Sequence, residues 1–172
     1  MDDEWEASNA SDPDPFARRE QGGWITLDPM TGRHRLVSFP DNFPRTPCSV
    51  TILPGSLPPN TVGMFHTHPF AIGDTDAYLA CKFETLSKGP LRGLPSSILM
   101  EEAEELARSS PYRSQPSEGD VAELQRLQRQ GVNLFGVIAD KNGFVRYTAD
   151  TNPTTPRGSL VNYAPCGHDP NA

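Results

Sequence analysis

The segment Phe65-His66-Thr67-His68-Pro69 constrains the fold more than any other part of the chain. Side chains alternate between the two faces of a β-strand, so His66 and His68 would share one face and bring two imidazole nitrogens to one metal ion. Pro69 cannot donate a backbone hydrogen bond to a sheet and would end the strand. We therefore predict a buried strand that carries two histidines to the edge of a sheet, where a ligand can reach them.

Two histidines at this spacing also occur without a metal, as hydrogen-bonded residues of a half-buried strand. Imidazole is nevertheless the commonest metal ligand in proteins. The metal interpretation therefore requires a further ligand elsewhere in the chain.

The composition indicates one domain with long loops or tails and a modest core. The chain has 172 residues, of which 35% are hydrophobic, 18 are prolines and 14 are glycines. With 15 basic and 22 acidic residues, the net charge of −7 would repel nucleic acid and anionic membranes. No segment approaches the roughly 20 apolar residues that span a bilayer. We therefore expect neither nucleic acid nor a membrane as a partner, and composition does not indicate the oligomeric state.

The cysteines and the N-terminal residues bear on the cellular compartment. The first residues are acidic and contain no apolar run, so we expect no classical secretory signal there. Three cysteines, Cys48, Cys81 and Cys166, cannot all pair within one chain, and their wide spacing resembles no disulfide framework. We expect a soluble, cytoplasmic protein by default, and export of a secreted effector by a non-classical route stays open.

Short apolar runs beside turn residues predict five strands in addition to the histidine strand. These runs are residues 24–27, 33–39, 48–53, 133–139 and 144–148. The first two would form a β-hairpin. The last two would form another, because Asn142 and Gly143 between them are a strong turn signal.

Apolar residues at helical spacing predict three helices between the histidine strand and the second hairpin. Asp74 would cap the first, the second would span residues 97–108, and the third would run from Ser117 to Gln130. The predicted core-facing residues are Leu79, Ala80, Phe83 and Leu86 in the first helix, Ile98, Leu99 and Leu106 in the second, and Val121, Leu124 and Leu127 in the third.

The pattern divides the chain into three sections. Residues 1–17 are acidic with little to bury, so we expect a disordered N-terminal segment. Residues 18–150 contain the predicted strands and helices and would form the domain. Residues 151–172 are rich in proline, asparagine and threonine and would form a loosely attached tail.

Ser117 and Asp120 have a purely structural interpretation. A serine before a helix accepts a hydrogen bond from the backbone amide three residues on, and the helix dipole stabilises an acidic residue in the first turn. This cap accounts for both residues without any function.

Three segments together carry a resemblance to a known family: Glu20, then His66-Thr67-His68-Pro69, then Ser117 and Asp120. Their order and their elements resemble the JAMM motif of the MPN/JAB-domain metalloproteases. The surrounding residues look like a bacterial JAB-type branch that includes domains of polymorphic toxins. The resemblance covers roughly residues 18–150, and it implies an α/β domain of the cytidine-deaminase-like JAB/MPN type with a central mixed sheet and flanking helices.

The resemblance also implies a zinc-dependent metallopeptidase or isopeptidase that acts on a protein or peptide, with a ubiquitin-like modifier as one candidate. His66, His68 and Asp120 would bind Zn²⁺ and leave the fourth position open to water, as a catalytic zinc site requires. Glu20 would move the proton of that water, and Ser117 would donate a hydrogen bond to the developing oxyanion.

The chain departs from the family at residues 70–115, where the family usually has a short linker. This insertion would contain the first two predicted helices. It would serve as a lid, as a substrate-recognition element or as an occluding segment, or it would be buried without an effect on catalysis.

Other interpretations stay open at this point. Glu20, beside Arg18 and Arg19, also fits an ordinary surface acid. The chain also fits a JAB-like binding or scaffold module whose site is unused, or a zinc hydrolase that acts on cell-wall peptides as a toxin or phage-associated enzyme.

A rival metal site is the last alternative. Cys166 and His168 would join His66 and His68 in a closed structural zinc site, because cysteine and histidine both suit that metal.

Overall fold

The computed structural model describes residues 2–53, 55–70, 73–75, 78–89, 91–110, 112–113, 115–153 and 161–163. These residues form four α-helices, one short 3-10 helix and eight strands. In chain order they are α1 (Asp2–Ala7), the 3-10 helix (Pro15–Ala17), β1 (Gly22–Leu27), β2 (His34–Ser38), β3 (Arg45–Thr46), β4 (Ser49–Val50), β5 (Thr61–Thr67), α2 (Leu79–Lys88), α3 (Ser96–Ser109), α4 (Glu118–Arg129), β6 (Phe135–Asp140), β7 (Gly143–Tyr147) and β8 (Val161–Tyr163).

Six of the strands form one mixed sheet in the order β2–β1–β5–β6–β7–β8. The central pair, β5 and β6, is parallel, and the other neighbours are antiparallel. A parallel pair needs a long crossover connection, and this one contains α2, α3 and α4. The predicted mixed α/β class, the histidine strand and both hairpins are therefore confirmed.

Two glycines allow β1 to lie tightly between its neighbours. A Cβ atom on Gly22 would lie 2.5 Å from the carbonyl oxygen of Phe65, and one on Gly23 would lie 2.4 Å from that of Val37. Real side chains do not tolerate such distances, so glycine is needed at both positions. The close approach brings the start of β1 beside the histidines of β5.

The main core lies between α4 and the sheet. The apolar face of α4 is the predicted one, with Val121, Leu124 and Leu127 buried. The side chains that share this core are Trp24, Phe39, Phe43, Met64, Ile138, Tyr147 and Ala149. Burial of these residues fixes α4, and therefore its N-terminus, relative to the end of β5.

The predicted strand over residues 48–53 is wrong in extent. Only Ser49–Val50 pairs, with Arg45–Thr46, in a separate two-stranded ribbon. Ile52 and Leu53 instead pack against the main core without entering a strand. These residues are apolar because they are buried. In so short a run, the spacing of apolar residues does not distinguish a buried loop from a buried strand.

The first predicted helix begins later than expected. Helix α2 starts at Leu79 after Tyr78, which makes no side-chain cap. Asp74 does not cap it, and its carboxylate lies 3.8 Å from the guanidinium of Arg18.

The core face predicted for the second helix is partly wrong. In α3 the side chains of Ile98 and Leu106 are 42% and 39% exposed, whereas Leu99, Ala103 and Ala107 are buried. Ala103 and Ala107 are one turn apart, and their small side chains allow α3 to pack closely on α2. A prediction based on the spacing of large apolar residues does not include them.

The N-terminal segment also differs from the expected disorder. Residues 2–7 form α1, and Ala10 is buried. The reason is Arg18, which is itself buried. Its guanidinium donates to the carbonyl oxygen of Asp12 at 2.9 and 3.1 Å and to that of Pro69 at 2.9 Å. The bonds to Asp12 are local, and the bond to Pro69 attaches the segment to the end of β5.

Part of the predicted tail extends the sheet. Strand β8 pairs antiparallel with β7. Residues 154–160 and 164–172 lie outside the described residues, so the rest of the tail, including Cys166 and His168, is not placed.

Cys48 and Cys81 form a disulfide, which the cysteine spacing did not predict. The two residues are 33 positions apart in sequence, yet their Cα atoms are 5.2 Å apart, because α2 lies against the segment that joins β3 and β4. The link therefore ties the insertion to the two-stranded ribbon of β3 and β4. In the described part of the chain, no helix has the length and apolar character needed to cross a bilayer.

Candidate metal centre

The two histidines lie at the C-terminal end of β5. His66 lies in the strand, and His68 comes directly after Thr67, the last residue of the strand. The two residues are 2% and 6% exposed, and their Nε2 atoms are 3.0 Å apart. The alternation of the strand thus brings both imidazoles to one point.

Glu20 reaches the same point because β1 pairs antiparallel with β5. Gly22 lies opposite His66 in the register, and the backbone N–H of Glu20 donates to the carbonyl of Thr46 at 2.8 Å. The Glu20 side chain is buried, and its Oε1 lies 3.7 Å from Nε2 of His68. Glu20 is therefore an interior carboxylate and not a surface acid.

Asp120 reaches the histidines from the first turn of α4. Its backbone N–H donates to Oγ of Ser117 at 3.1 Å, and its Oδ2 accepts from the backbone N–H of Ser117 at 2.7 Å. This capping box holds the carboxylate so that Oδ1 lies 3.1 Å from Nε2 of His66 and Oδ2 lies 3.6 Å from Nε2 of His68. Asp120 thus takes part in the helix cap and also lies beside both histidines. Its role as a cap therefore does not exclude a role as a metal ligand.

These groups meet the requirements of a metal site. The ligand atoms of Glu20, His66 and His68 all lie within 4.8 Å of one another, so this buried group can hold a metal ion. Ligands about 2.0–2.1 Å from a tetrahedral zinc ion stand roughly 3.3–3.4 Å apart. The distances of 3.0, 3.1 and 3.6 Å among the two Nε2 atoms and the Asp120 carboxylate lie close to that value.

The two carboxylates of the cluster have opposite pKa shifts. Burial raises the pKa of Glu20 well above its ordinary value, and the neighbouring carboxylates of Asp120 and Glu84 raise it further. Burial also acts to raise the pKa of Asp120, but the imidazoles of His66 and His68 outweigh it and hold that pKa well below its ordinary value. Asp120 is thus kept ionised, whereas Glu20 takes up a proton readily. Two carboxyl groups whose pKa values are shifted in opposite directions can take different roles in acid–base chemistry.

Burial also lowers the pKa of His68, although the neighbouring carboxylate of Asp120 opposes this. A lowered pKa favours the neutral imidazole, which is the form that binds metal ions.

Two cavities open beside the cluster. One, of about 510 Å³, is lined by Glu20 and His68 on one side and by Tyr78, Lys82 and Arg113 of the insertion on the other. The second, of about 300 Å³, contains His66 and Asp120 in its wall. Ser117 lines both. The cavities therefore give access to the histidines between the insertion and the first turn of α4.

Ser117 is exposed and accepts the capping hydrogen bond from Asp120 through its Oγ. A hydroxyl that accepts one bond still carries its own hydrogen to donate. Ser117 can therefore cap the helix and donate toward the cavity at the same time.

Sequence reasoning missed two residues that contact the cluster. The hydroxyl oxygen of Tyr112 lies 3.0 Å from Nδ1 of His68, and the hydroxyl donates to Oδ2 of Asp140 at 2.9 Å. Asp140 ends β6, and the parallel pairing of β6 with β5 places it next to His68. Tyr112 lies between helices, where periodicity provides no signal.

The predicted site residues are thus distributed as follows. Glu20, His66, His68 and Asp120 lie in one cluster, and Ser117 lies at its edge. The rival ligands Cys166 and His168 lie outside the described residues. Comparisons of the chain with protein-family models, with curated proteins and with solved structures found no significant match.

Proposed function

We propose that this chain is a zinc-dependent metallopeptidase or isopeptidase of the JAMM type. One observation carries the proposal: the Asp120 carboxylate, far from the histidines in sequence, lies within 3.1–3.6 Å of both Nε2 atoms. Two histidines and a carboxylate are a donor set typical of catalytic zinc sites. A buried second carboxylate with a raised pKa, Glu20, lies beside them.

We also propose that the α/β fold is of the cytidine-deaminase-like JAB/MPN type. The order of the elements supports this proposal. The glutamate precedes β1, the histidines end β5, and the serine and aspartate begin α4, which packs on the sheet. This is the order and the strand–helix context of the motif that the chain resembles.

Each side chain has a distinct role in the proposed reaction. His66, His68 and Asp120 would hold a zinc ion, which would supply Lewis-acid chemistry and lower the pKa of water at the site to about 7. Glu20 accepts the proton of the attacking water and passes it to the leaving nitrogen of the amide. The hydroxyl of Ser117 donates to the oxygen on which negative charge develops, a contact worth about 2.7–4 kcal/mol in comparable sites.

Asp120 is assigned as the carboxylate ligand and Glu20 as the proton carrier. The Asp120 carboxylate is nearer to the histidines than Glu20 is, and the imidazoles keep it ionised. A ligand must be deprotonated, whereas a proton carrier needs a pKa near the working pH. The raised pKa of Glu20 suits the second role.

Three conservative variants test this assignment: Glu20→Gln, Asp120→Asn and, as a control, Glu118→Gln, which removes an exposed acid from the same turn of α4. We expect Glu20→Gln to retain one zinc per chain but to lose peptide hydrolysis by about 10²- to 10⁴-fold. Asp120→Asn should lose zinc, and Glu118→Gln should retain both zinc and hydrolysis. Loss of zinc in Glu20→Gln with retention in Asp120→Asn would reverse the two roles.

The substrate class is the next part of the proposal. We propose an amide bond of a protein or peptide, with isopeptide-linked ubiquitin-like proteins and cell-wall stem peptides as the two classes to compare. Zinc-loaded protein would be incubated with both and with unmodified peptides. Hydrolysis of stem peptides alone would favour a toxin or phage-associated role. Zinc binding without hydrolysis of any of them, and without a difference between wild type and Glu20→Gln, would favour a binding or scaffold module.

The compartment follows from the cysteines. A disulfide between Cys48 and Cys81 persists in oxidising surroundings and is rare in the cytosol. We therefore propose that the chain works after export, which replaces the cytoplasmic default. Thiol labelling of the protein from its native source would show two blocked cysteines if this is right and three reactive ones if it is not.

A further inference from the structure

The hydrogen bonds of the Tyr112 hydroxyl indicate where the hydrogen of His68 lies. The hydroxyl donates its hydrogen to Oδ2 of Asp140 at 2.9 Å. The hydroxyl oxygen, 3.0 Å from Nδ1 of His68, is then an acceptor, and the hydrogen of the neutral imidazole lies on Nδ1. Nε2 of His68 then carries a lone pair that faces Nε2 of His66 at 3.0 Å and lies 3.6 Å from Oδ2 of Asp120.

We propose that Tyr112 and Asp140 are positioning residues that hold His68 in the tautomer able to bind a metal ion. The inference rests on the proposed function only in taking His68 as a metal ligand. A histidine that binds a metal through one nitrogen usually donates from the other to an oxygen, which fixes both its tautomer and its ring orientation.

Both partners are held firmly enough for this role. Tyr112 is buried and packs against Phe70 and Tyr78, with ring centroids 5.5 and 5.7 Å away. The second oxygen of Asp140, Oδ1, accepts from the backbone N–H of Asn142 at 2.7 Å in the turn between β6 and β7. Neither side chain can turn away without the loss of these contacts.

The assignment gives the insertion a function. Tyr112 belongs to residues 70–115, which depart from the family pattern, and yet its hydroxyl lies against His68. Residues of the insertion thus complete the metal site from outside. The insertion is an integral part of the site and not a lid that can be removed without an effect on metal binding.

The variant Asp140→Asn provides the sharpest test. Its amide oxygen can still accept from Asn142, so the NH₂ group faces Tyr112 and donates to it. The Tyr112 hydroxyl must then donate to Nδ1 of His68, which moves the imidazole hydrogen to Nε2, where it blocks the metal. Tyr112→Phe removes the bond but retains the ring, and Tyr78→Phe is the matched control, because it removes a hydroxyl from the same aromatic cluster.

Two measurements are needed. Zn²⁺ affinity, from competition with a chelating dye, should fall about 10- to 100-fold in Tyr112→Phe and at least as far in Asp140→Asn, and should not change in Tyr78→Phe. The ¹⁵N chemical shifts of His68 in the metal-free protein should show hydrogen on Nδ1 in the wild type and on Nε2 in Asp140→Asn. A residue with a merely structural role would not reverse the tautomer.

Three outcomes would overturn the inference: hydrogen on Nε2 in the metal-free wild type, an unchanged tautomer in Asp140→Asn, or equal zinc affinity in all four proteins. Failure of the proposed function looks different. Zinc binding with the expected ranking but no hydrolysis would refute the peptidase and leave the positioning role intact. A wild type without zinc binding would refute both, whatever the chemical shifts.

Discussion

The disulfide between Cys48 and Cys81 closes a loop that contains β5 and both histidines, so its removal should affect the whole domain. In the chain-entropy description, a link across 33 residues lowers the entropy of the unfolded chain by an amount worth about 3.7 kcal/mol at 25 °C. This value is a large share of the 5–15 kcal/mol that stabilises a typical domain. We expect the variant Cys48→Ala/Cys81→Ala to lose about 3–4 kcal/mol of unfolding free energy.

Urea unfolding, followed by the fluorescence of the buried Trp24, measures this loss. With a slope of about 2 kcal/mol per molar urea, the midpoint should fall by about 2 M. The comparison is best made in a Cys166→Ala background, which prevents exchange with the third cysteine. Reductant should lower the midpoint of that background to the value of the Cys48→Ala/Cys81→Ala variant and leave the latter unchanged. Equal midpoints of the Cys166→Ala protein with and without reductant, together with two reactive thiols in that protein, would refute the link.

Three further predictions follow from the core and the cluster. Zn²⁺ at 100 times its dissociation constant should raise the unfolding free energy by about 2.7 kcal/mol. The variant Cys166→Ala should keep this gain, and Asp120→Ala should lose it. The opposite result would place the zinc at the C-terminal segment. In the metal-free protein, the raised pKa of Glu20 means that the native state binds this proton more tightly than the unfolded state, whose ordinary value is 4.5. The unfolding free energy of the wild type should therefore fall relative to that of Glu20→Gln as the pH rises from about 4.5 through the raised pKa. Parallel stability curves from urea unfolding would contradict this. Leu124→Ala should cost about 2–5 kcal/mol in urea unfolding, because Leu124 is 1% exposed in the main core, and a loss no greater than that of the exposed control Ile98→Ala would contradict the packing of α4.

Much of the fold could be predicted because its signals are local. Alternating apolar residues and an Asn-Gly turn determine the hairpin of β6 and β7, and apolar residues at helical spacing determine the buried face of α4. Predictions were wrong where the deciding partner is remote in sequence. The packing of α3 on α2 uses alanines such as Ala103 and Ala107, and the N-terminal segment is ordered by bonds from Arg18.

The candidate site divides in the same way. The sequence alone identified the residue types and their spacing: two histidines on one face of a strand, a serine and an aspartate at a helix start, and a glutamate before the first strand. These signals are available because local backbone geometry decides which way neighbouring side chains point.

Only the tertiary structure decided how these residues meet and what surrounds them. It placed the Asp120 carboxylate beside both imidazoles, brought Tyr112 and Asp140 to the far side of His68, and joined Cys48 to Cys81. Each of these contacts links segments that are distant in sequence. Their distances depend on how the whole sheet and its helices pack, and no local pattern of residues records that packing.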